Sequence, residues 1–270
     1  MKKLTGMGPL LYAVALIGFG ITQLMTRDFL TGLFPVPATL PLRTLWLIVS
    51  SILFLIAAVG MLFLGRKWLA AALAGSLFFV FFLFLHLPKL LGDMYNPLEW
   101  SPLFEGLMLG SGGFIIAAYL IDSGMGDPGW NKPLHVMALM GQYLFAVSLV
   151  VFAVLHIKYN DYIQTLMPAW LPGHVFWSYV VIAAFLLSAI SFFTGLKLPL
   201  ASGLLGIMFM LWVLIMHAPR AFGKPTAETE WSSLFTALAV CGTAFTVCRQ
   251  TAVWHRRGVQ REAAVEGVAG

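Results

Sequence analysis

Charged side chains are scarce in this chain of 270 residues, of which Asp, Glu, Lys and Arg make up only 10%. A water-soluble domain carries about 25% charged residues. The chain therefore lacks the polar side chains needed to coat a surface that faces water. Hydrophobic residues make up 60% of the sequence, and the mean hydropathy is +0.90. This composition excludes an ordinary soluble protein and predicts an integral membrane protein.

Cysteine is almost absent, with only Cys241 and Cys248 in the chain. In a helix these two residues would lie about 10 Å apart along the axis, whereas a disulfide needs Cα atoms within about 7 Å. Their spacing also differs from the Cys-x-x-Cys pattern of redox and zinc sites. The sequence therefore predicts that both are small apolar packing residues.

Recognisable catalytic and ligand-binding motifs are also missing from the sequence. It contains no phosphate-binding loop, nucleophile elbow or dinucleotide fingerprint. No closely spaced His and Glu residues occur that would set the geometry of a metal site, so no metal is predicted. The basic pI of 9.3 is explained by membrane topology rather than by a nucleic-acid-binding surface.

Long apolar runs are what the sequence does contain, and each is long enough for a helix that crosses a bilayer. Eight runs are predicted to be spanning helices, at 8–25, 43–64, 68–87, 102–121, 135–156, 174–194, 198–217 and 232–248. The first follows MKK, as in a signal peptide, but no small-x-small cleavage site ends it. We therefore predict an all-α polytopic membrane protein with eight spanning helices.

The distribution of Lys and Arg predicts the orientation, because basic residues favour cytoplasmic loops. With both termini in the cytoplasm, ten basic residues lie inside and six lie outside. The inner set is Lys2, Lys3, Arg66, Lys67, Lys132, Lys197, Arg249, Arg256, Arg257 and Arg261. The outer set is Arg27, Arg43, Lys89, Lys158, Arg220 and Lys224. The sequence thus predicts a multi-pass protein of the bacterial inner membrane with cytoplasmic termini, its basic tail near anionic headgroups.

An internal repeat relates residues 85–100 (LHLPKLLGDMYNPLEW) to residues 216–231 (MHAPRAFGKPTAETEW). A shift of 131 residues aligns His, Pro, Gly, Glu and Trp in both segments. The identical pairs are His86 and His217, Pro88 and Pro219, Gly92 and Gly223, Glu99 and Glu230, and Trp100 and Trp231. In the first long loop the shift becomes 133, where DFLTGLFP at 28–35 aligns with DYIQTLMP at 161–168.

This repeat predicts two four-helix units, at 1–125 and 134–250, followed by a basic cytoplasmic tail at 251–270. Because each unit has an even number of spans, both enter the membrane in the same sense. The units are then parallel repeats related by an axis along the membrane normal. All four long loops fall on the outer side, so any chemistry is expected at that interface.

The candidate functional side chains lie at these outer helix ends. Ionisable groups at membrane depth are costly and are therefore candidates for function. The predicted quinone or proton site contains His86, His217, His156, Glu99, Glu230 and Gln23. Its predicted polar partners are Lys89, Arg220 and Glu105, and its interface anchors are Trp100, Trp231 and Trp170. Pro88 and Pro219 are expected to end the helices that carry His86 and His217. Simple roles in helix capping and in the aromatic belt remain open for these residues.

Haem b held by His86 and His217 is a weaker alternative, because haem ligands usually lie several turns inside the bilayer while these residues lie at its edge. A small-solute transporter or channel is a second alternative, although the helix centres contain almost no ionisable groups. A non-catalytic scaffold that binds another membrane or periplasmic protein is a third. Whether the chain is an enzyme is left open.

The segment HIKYNDYIQTLMPAWLPGHVFWSYV, at 156–180, is followed by two apolar helices and a final His. It resembles the outer loop of the DoxX family of small bacterial membrane proteins, with Tyr162, Pro168, Trp170 and Pro172 at the motif positions. The resemblance covers 140–217, and extends to 8–87 only through the internal repeat. In the first unit Phe29, Pro35 and Pro41 match, but residue 37 is Pro where the family favours an aromatic residue.

This resemblance implies a four-helix unit present twice and a role linked to membrane redox chemistry. Family members are associated with quinone-coupled sulfur oxidation or serve as membrane anchors of oxidative-stress complexes. The expectation is therefore quinone binding, or anchoring of an oxidoreductase subunit, at the periplasmic interface.

Overall fold

The computed structural model describes residues 5–125 and 128–266, without the side chains of 98, 125, 128 and 251–266. The described chain is all-helical and has no strands. Eight of its helices are long and apolar enough to cross a membrane: α1 (Gly8–Thr26), α2 (Arg43–Phe63), α3 (Lys67–Gly92), α4 (Pro97–Leu120), α5 (Asn131–Lys158), α6 (His174–Thr194), α7 (Leu198–Gly223) and α8 (Glu228–Glu266, of which Glu228–Gln250 spans). The predicted eight-helix membrane fold is confirmed.

The helices pack in chain order, each against the one before it, and α8 packs back against α1. Helices α4 and α8 also contact each other across the middle, and they are the most buried spans. Their sequences are rich in Gly, Ala, Ser and Thr, and such small residues allow helix backbones to approach closely in a membrane. A Cβ atom on Gly113 would lie 2.4 Å from the backbone nitrogen of Gly75 in α3. The close packing of α4 against α3 therefore requires glycine at position 113.

Four connections, residues 27–42, 93–96, 159–173 and 224–227, follow α1, α3, α5 and α7, and we call the end of the bundle where they lie the long-loop end. Only the first and third are long, whereas the sequence predicts four long loops, because α3 and α7 continue to Gly92 and Gly223. Two hydrogen bonds link segments at this end. The Thr31 amide donates to Glu228 Oε1 (3.1 Å), which joins the first connection to the start of α8. Arg220 Nη1 donates to the Leu166 carbonyl (3.4 Å), which joins the end of α7 to the third connection.

Two π-helical turns occur at positions 131 residues apart, Phe82–His86 in α3 and Val213–His217 in α7. In each, a backbone amide bonds to the carbonyl five residues earlier, Leu87 to Phe82 and Ala218 to Val213. The prediction that proline ends these helices is wrong. In the π turn the backbone hydrogen bonds reach back five residues instead of four. The proline that follows lies in the first turn of a six-residue helix, where the N–H group that proline lacks is not needed.

The local geometry after each π turn is also the same in both segments. Trp100 Nε1 donates to the Met94 carbonyl (3.1 Å), and Trp231 Nε1 donates to the Pro225 carbonyl (3.0 Å). Glu99 and Glu230 each lie in the first turn of their helix, as predicted. The arrangement of the whole chain as two parallel repeats stays a prediction.

The cytoplasmic-tail prediction falls largely outside the described side chains. The backbone of α8 continues to Glu266, while residues 267–270 and the side chains from 251 onward are not described. Both cysteines are free thiols, Cys241 buried and Cys248 half-buried. Cys241 Sγ donates to the Gly206 carbonyl of α7 (3.2 Å), which agrees with a packing role in α8.

Candidate functional site

A cavity of about 280 Å³ lies near the long-loop end, between α4, α5, α6, α7 and α8. The short helix Asn160–Leu166, in the third connection, covers it with Ile163, Leu166 and the following Met167. Most of the lining is apolar and includes Phe152, Phe185, Phe209 and Trp212. An apolar cavity with a few converging polar groups is the usual form of a small-molecule site.

Three titratable side chains line this cavity: Glu105 from α4, His156 from α5 and His217 from α7. The Glu105 Oε1 atom accepts a hydrogen bond from Ser101 Oγ (2.8 Å), one helical turn earlier. Among the described side chains, no Lys, Arg or His lies within ion-pair distance of the Glu105 carboxyl group. A carboxyl group in an apolar wall without a cation is costly in a membrane, which marks Glu105 as a functional candidate.

The two cavity histidines differ in how they are held. His156 Nδ1 bonds to the Phe152 carbonyl one turn earlier (2.8 Å), and its ring packs edge-on against the Phe185 ring, with centroids 5.1 Å apart. This fixes the orientation of the His156 ring. His217 lies at the end of the π turn in α7, and no hydrogen bond to its ring is found within the described part of the chain. Its nitrogens are therefore available to a ligand.

Hydroxyl groups complete the polar part of the lining, with Ser101 on α4 and Ser233 and Thr236 on α8. Ser233 Oγ donates to the Thr229 carbonyl (2.8 Å). The Thr236 Oγ1 atom is buried and has no hydrogen-bond partner. Thr236 therefore contributes to the wall of the cavity, while its hydroxyl oxygen is not exposed to the space inside.

His86 and Gln23, the corresponding candidates of the first half, do not line this cavity. His86 is 2% exposed, and its ring lies 3.7 Å from the position that a Cβ on Gly106 would take. Gln23 is fully buried and accepts a hydrogen bond from Ser50 Oγ (3.1 Å). His86 therefore does not share this cavity with His217.

Four aromatic rings of the first half pack against one another. Phe34 and Phe81 have ring centroids 4.3 Å apart, and Phe54 and Phe78 have centroids 5.2 Å apart. In the sequence, the shifts of 131 and 133 residues align these four with Met167, Trp212, Phe185 and Phe209, which all line the cavity. The aligned residues differ at two positions, Met167 for Phe34 and Trp212 for Phe81.

Glu99 and Glu230, two further candidates, are engaged in ion pairs rather than free. Arg220 binds Glu230 with two hydrogen bonds, Nε to Oε2 (2.8 Å) and Nη2 to Oε1 (2.7 Å). Lys224 Nζ also lies 3.5 Å from Glu230 Oε1. Lys89 Nζ lies 3.6 Å from Glu99 Oε2. Neither carboxylate lines the cavity. The ion pair of Glu99 joins α3 to α4, and that of Glu230 joins α7 to α8.

The remaining histidines and the predicted anchors have simpler surroundings. His135 Nε2 lies 3.1 Å from Asp122 Oδ2, and His174 Nε2 lies 3.0 Å from the Pro168 carbonyl. His255 lies outside the described side chains. Trp170 is 69% exposed, while Trp100 and Trp231 are half-buried. All three remain available to contact the bilayer interface.

Comparison with protein-family models, with curated proteins and with solved structures found no match to this chain. The DoxX resemblance therefore rests only on the residues quoted for it, from Tyr162 to Pro172. The chemistry of the cavity is the remaining basis for a functional conclusion.

Proposed function

We propose that this chain binds a quinone-class aromatic ring in the cavity beside His156, His217 and Glu105. The observation that carries this proposal is the convergence of these three protonatable groups within a wall of Phe, Trp, Met and Leu side chains. A quinone ring needs an apolar slot, and its oxygens need hydrogen-bonding groups at the edge of the bilayer. The two histidines and the Glu105 carboxyl group supply such groups.

The biological setting that we propose is the bacterial inner membrane, with both termini in the cytoplasm and the long-loop end in the periplasm. The support is the excess of Lys and Arg on the side of the termini. In this setting the chain acts as a DoxX-like protein in membrane redox chemistry, holding a quinone for a periplasmic or membrane-bound oxidoreductase. The exposed Tyr162 and Trp170 of the third connection give such a partner a contact surface.

The π turn that ends at His217 adds support to the assignment. Such turns occur as single insertions in α-helices and are frequent at functional sites. Here the turn presents His217 to the cavity while α7 continues to Gly223.

Ligand binding to the purified protein in detergent tests the proposal. We expect decylubiquinone to bind the native chain, and we expect His217→Ala to weaken binding by about tenfold, the loss of one well-placed hydrogen bond. The control is His174→Ala, which removes a histidine from the long-loop end that does not line the cavity. Equal affinities in both variants, or no quinone in lipid extracts of the native protein together with no binding, would refute the proposal.

A further inference from the structure

The hydrogen bond of His156 determines which of its nitrogens carries the proton. The Phe152 carbonyl can only accept, so the nitrogen 2.8 Å from it, Nδ1, must be the donor. In the neutral imidazole the other nitrogen, Nε2, is then an acceptor. His156 therefore offers the cavity a hydrogen-bond acceptor.

The two serine hydroxyls of the cavity have already donated their protons. Ser101 uses its hydroxyl proton on Glu105, and Ser233 uses its proton on the Thr229 carbonyl. Glu105 has only acceptor sites when ionised and gains one donor when protonated, and one nitrogen of His217 is a further donor. His156 Nε2 is an acceptor whichever form Glu105 takes.

From the acceptor that His156 offers we infer that the cavity prefers the reduced, dihydroxy form of the ring, a quinol, to the oxidised quinone. This inference rests on the proposed function and specifies its ligand. A quinone oxygen only accepts hydrogen bonds, so beside His156 it would leave two acceptors facing each other. A quinol hydroxyl can donate to His156 Nε2 and still accept a bond from a donor such as His217. We expect about tenfold tighter binding of the quinol.

The test uses one matched pair of small probes, durohydroquinone and duroquinone, which differ only in the two hydroxyl protons and the electrons that accompany them. Anaerobic equilibrium dialysis with the whole protein in detergent gives the Kd of each. The dimethyl ether of durohydroquinone, which cannot donate, is the third probe, and we expect it to bind no better than duroquinone. A tenfold preference for the quinol corresponds to a rise of about 30 mV in the potential of the bound two-electron couple.

His156→Phe removes the acceptor while keeping an aromatic ring of similar size. We expect it to weaken durohydroquinone binding by about tenfold and to change duroquinone binding by less than about twofold. His86→Phe is the matched control, because it replaces a buried histidine that does not line the cavity. Since either variant could fold poorly, nitrogen-15 NMR of labelled histidine in the native protein gives a second measurement, with His156 expected in the form protonated at Nδ1.

The outcomes separate the two proposals. Equal affinity for the two probes, or His156 protonated only at Nε2, overturns the quinol preference and leaves quinone-class binding in place. Absence of binding by both probes, and by decylubiquinone, overturns the proposed function itself. Tighter quinol binding that disappears in His156→Phe and persists in His86→Phe supports both.

Discussion

Arg220 and Glu230 form a two-bond ion pair, in which both carboxylate oxygens of Glu230 accept from the guanidinium at 2.7 and 2.8 Å. The corresponding pair in the first half, Lys89 and Glu99, has a single contact of 3.6 Å. The two pairs occupy the same place after a π turn, and they differ in geometry and in exposure. They therefore provide a matched comparison within one chain.

Removal of the better pair should destabilise the protein more. We expect Arg220→Ala to lower the free energy of unfolding by about 1–3 kcal/mol, because it leaves the Glu230 carboxylate, only 11% exposed, without its main partner. Lys89→Ala should cost at most about 1 kcal/mol, since both members of that pair are more exposed. Thermal unfolding of the two variants in the same detergent measures the difference. Equal losses would mean that the bidentate geometry contributes nothing.

The unpaired hydroxyl of Thr236 makes a second prediction possible. Thr236→Val keeps the shape of the side chain and removes a buried polar atom that has no partner. The protein should therefore keep or slightly raise its melting temperature. The control is Thr243→Val on the same helix, which removes a hydroxyl bonded to the Ala239 carbonyl (3.0 Å). That variant should lose about 1 kcal/mol of stability. A larger loss in Thr236→Val than in Thr243→Val would show that the Thr236 hydroxyl does have a partner.

Close contact between α3 and α4 gives a third prediction. Gly113→Ala places a methyl group 2.4 Å from the Gly75 nitrogen and 2.6 Å from its Cα atom, so the two backbones must separate. We expect a loss of about 2 kcal/mol, in the range seen for overpacked cores. Gly92→Ala is the control, because nothing lies within 4 Å of the added Cβ atom. Melting temperatures of the two variants decide the question, and an unaffected Gly113→Ala protein would show that the helices are less closely packed.

The proposed orientation predicts which loops a membrane-impermeant maleimide can reach. In a chain without Cys241 and Cys248, a cysteine at Tyr95, which is 86% exposed in the second long connection, should react in intact spheroplasts. A cysteine at Gly65, exposed in the turn between α2 and α3, should react only after lysis. Labelling is read on a gel, with a permeant maleimide as the control for reactivity. Labelling of Gly65→Cys alone in intact spheroplasts would reverse the orientation.

Hydropathy was sufficient to predict the eight spans, because a bilayer requires long apolar runs whatever the tertiary contacts are. The predicted bounds are less accurate for α3 and α7, because proline favours a helix end at Pro88 and Pro219 while the helices continue. A π turn has no distinctive composition: FLFLH and VLIMH are apolar runs like their neighbours. Only the conjunction of His and Pro at equal positions in both segments distinguished them.

The candidate site was only partly predictable. The sequence singles out His156 and His217 as ionisable groups at membrane depth and Glu105 as a polar partner. Their meeting in one cavity depends on how α4 packs against α5 and α8, which no local pattern encodes. The sequence does not single out Thr236, because a threonine in an apolar helix usually bonds to its own backbone. Its lack of such a bond is visible only in three dimensions.

The two π turns have a consequence for the angular phase of the helices that contain them. Each residue of an α-helix advances the chain by about 100° around the axis, so deletion of one residue from Phe82–His86 or Val213–His217 would restore a regular α-helix by rotating everything on one side of the deletion. Such a deletion in α7 would turn His217 or Arg220 away from its present neighbours while keeping every side chain except one. A single-residue deletion in each helix would thus show how much of the protein's stability and binding depends on the rotation of the helix end, and how much on its side chains.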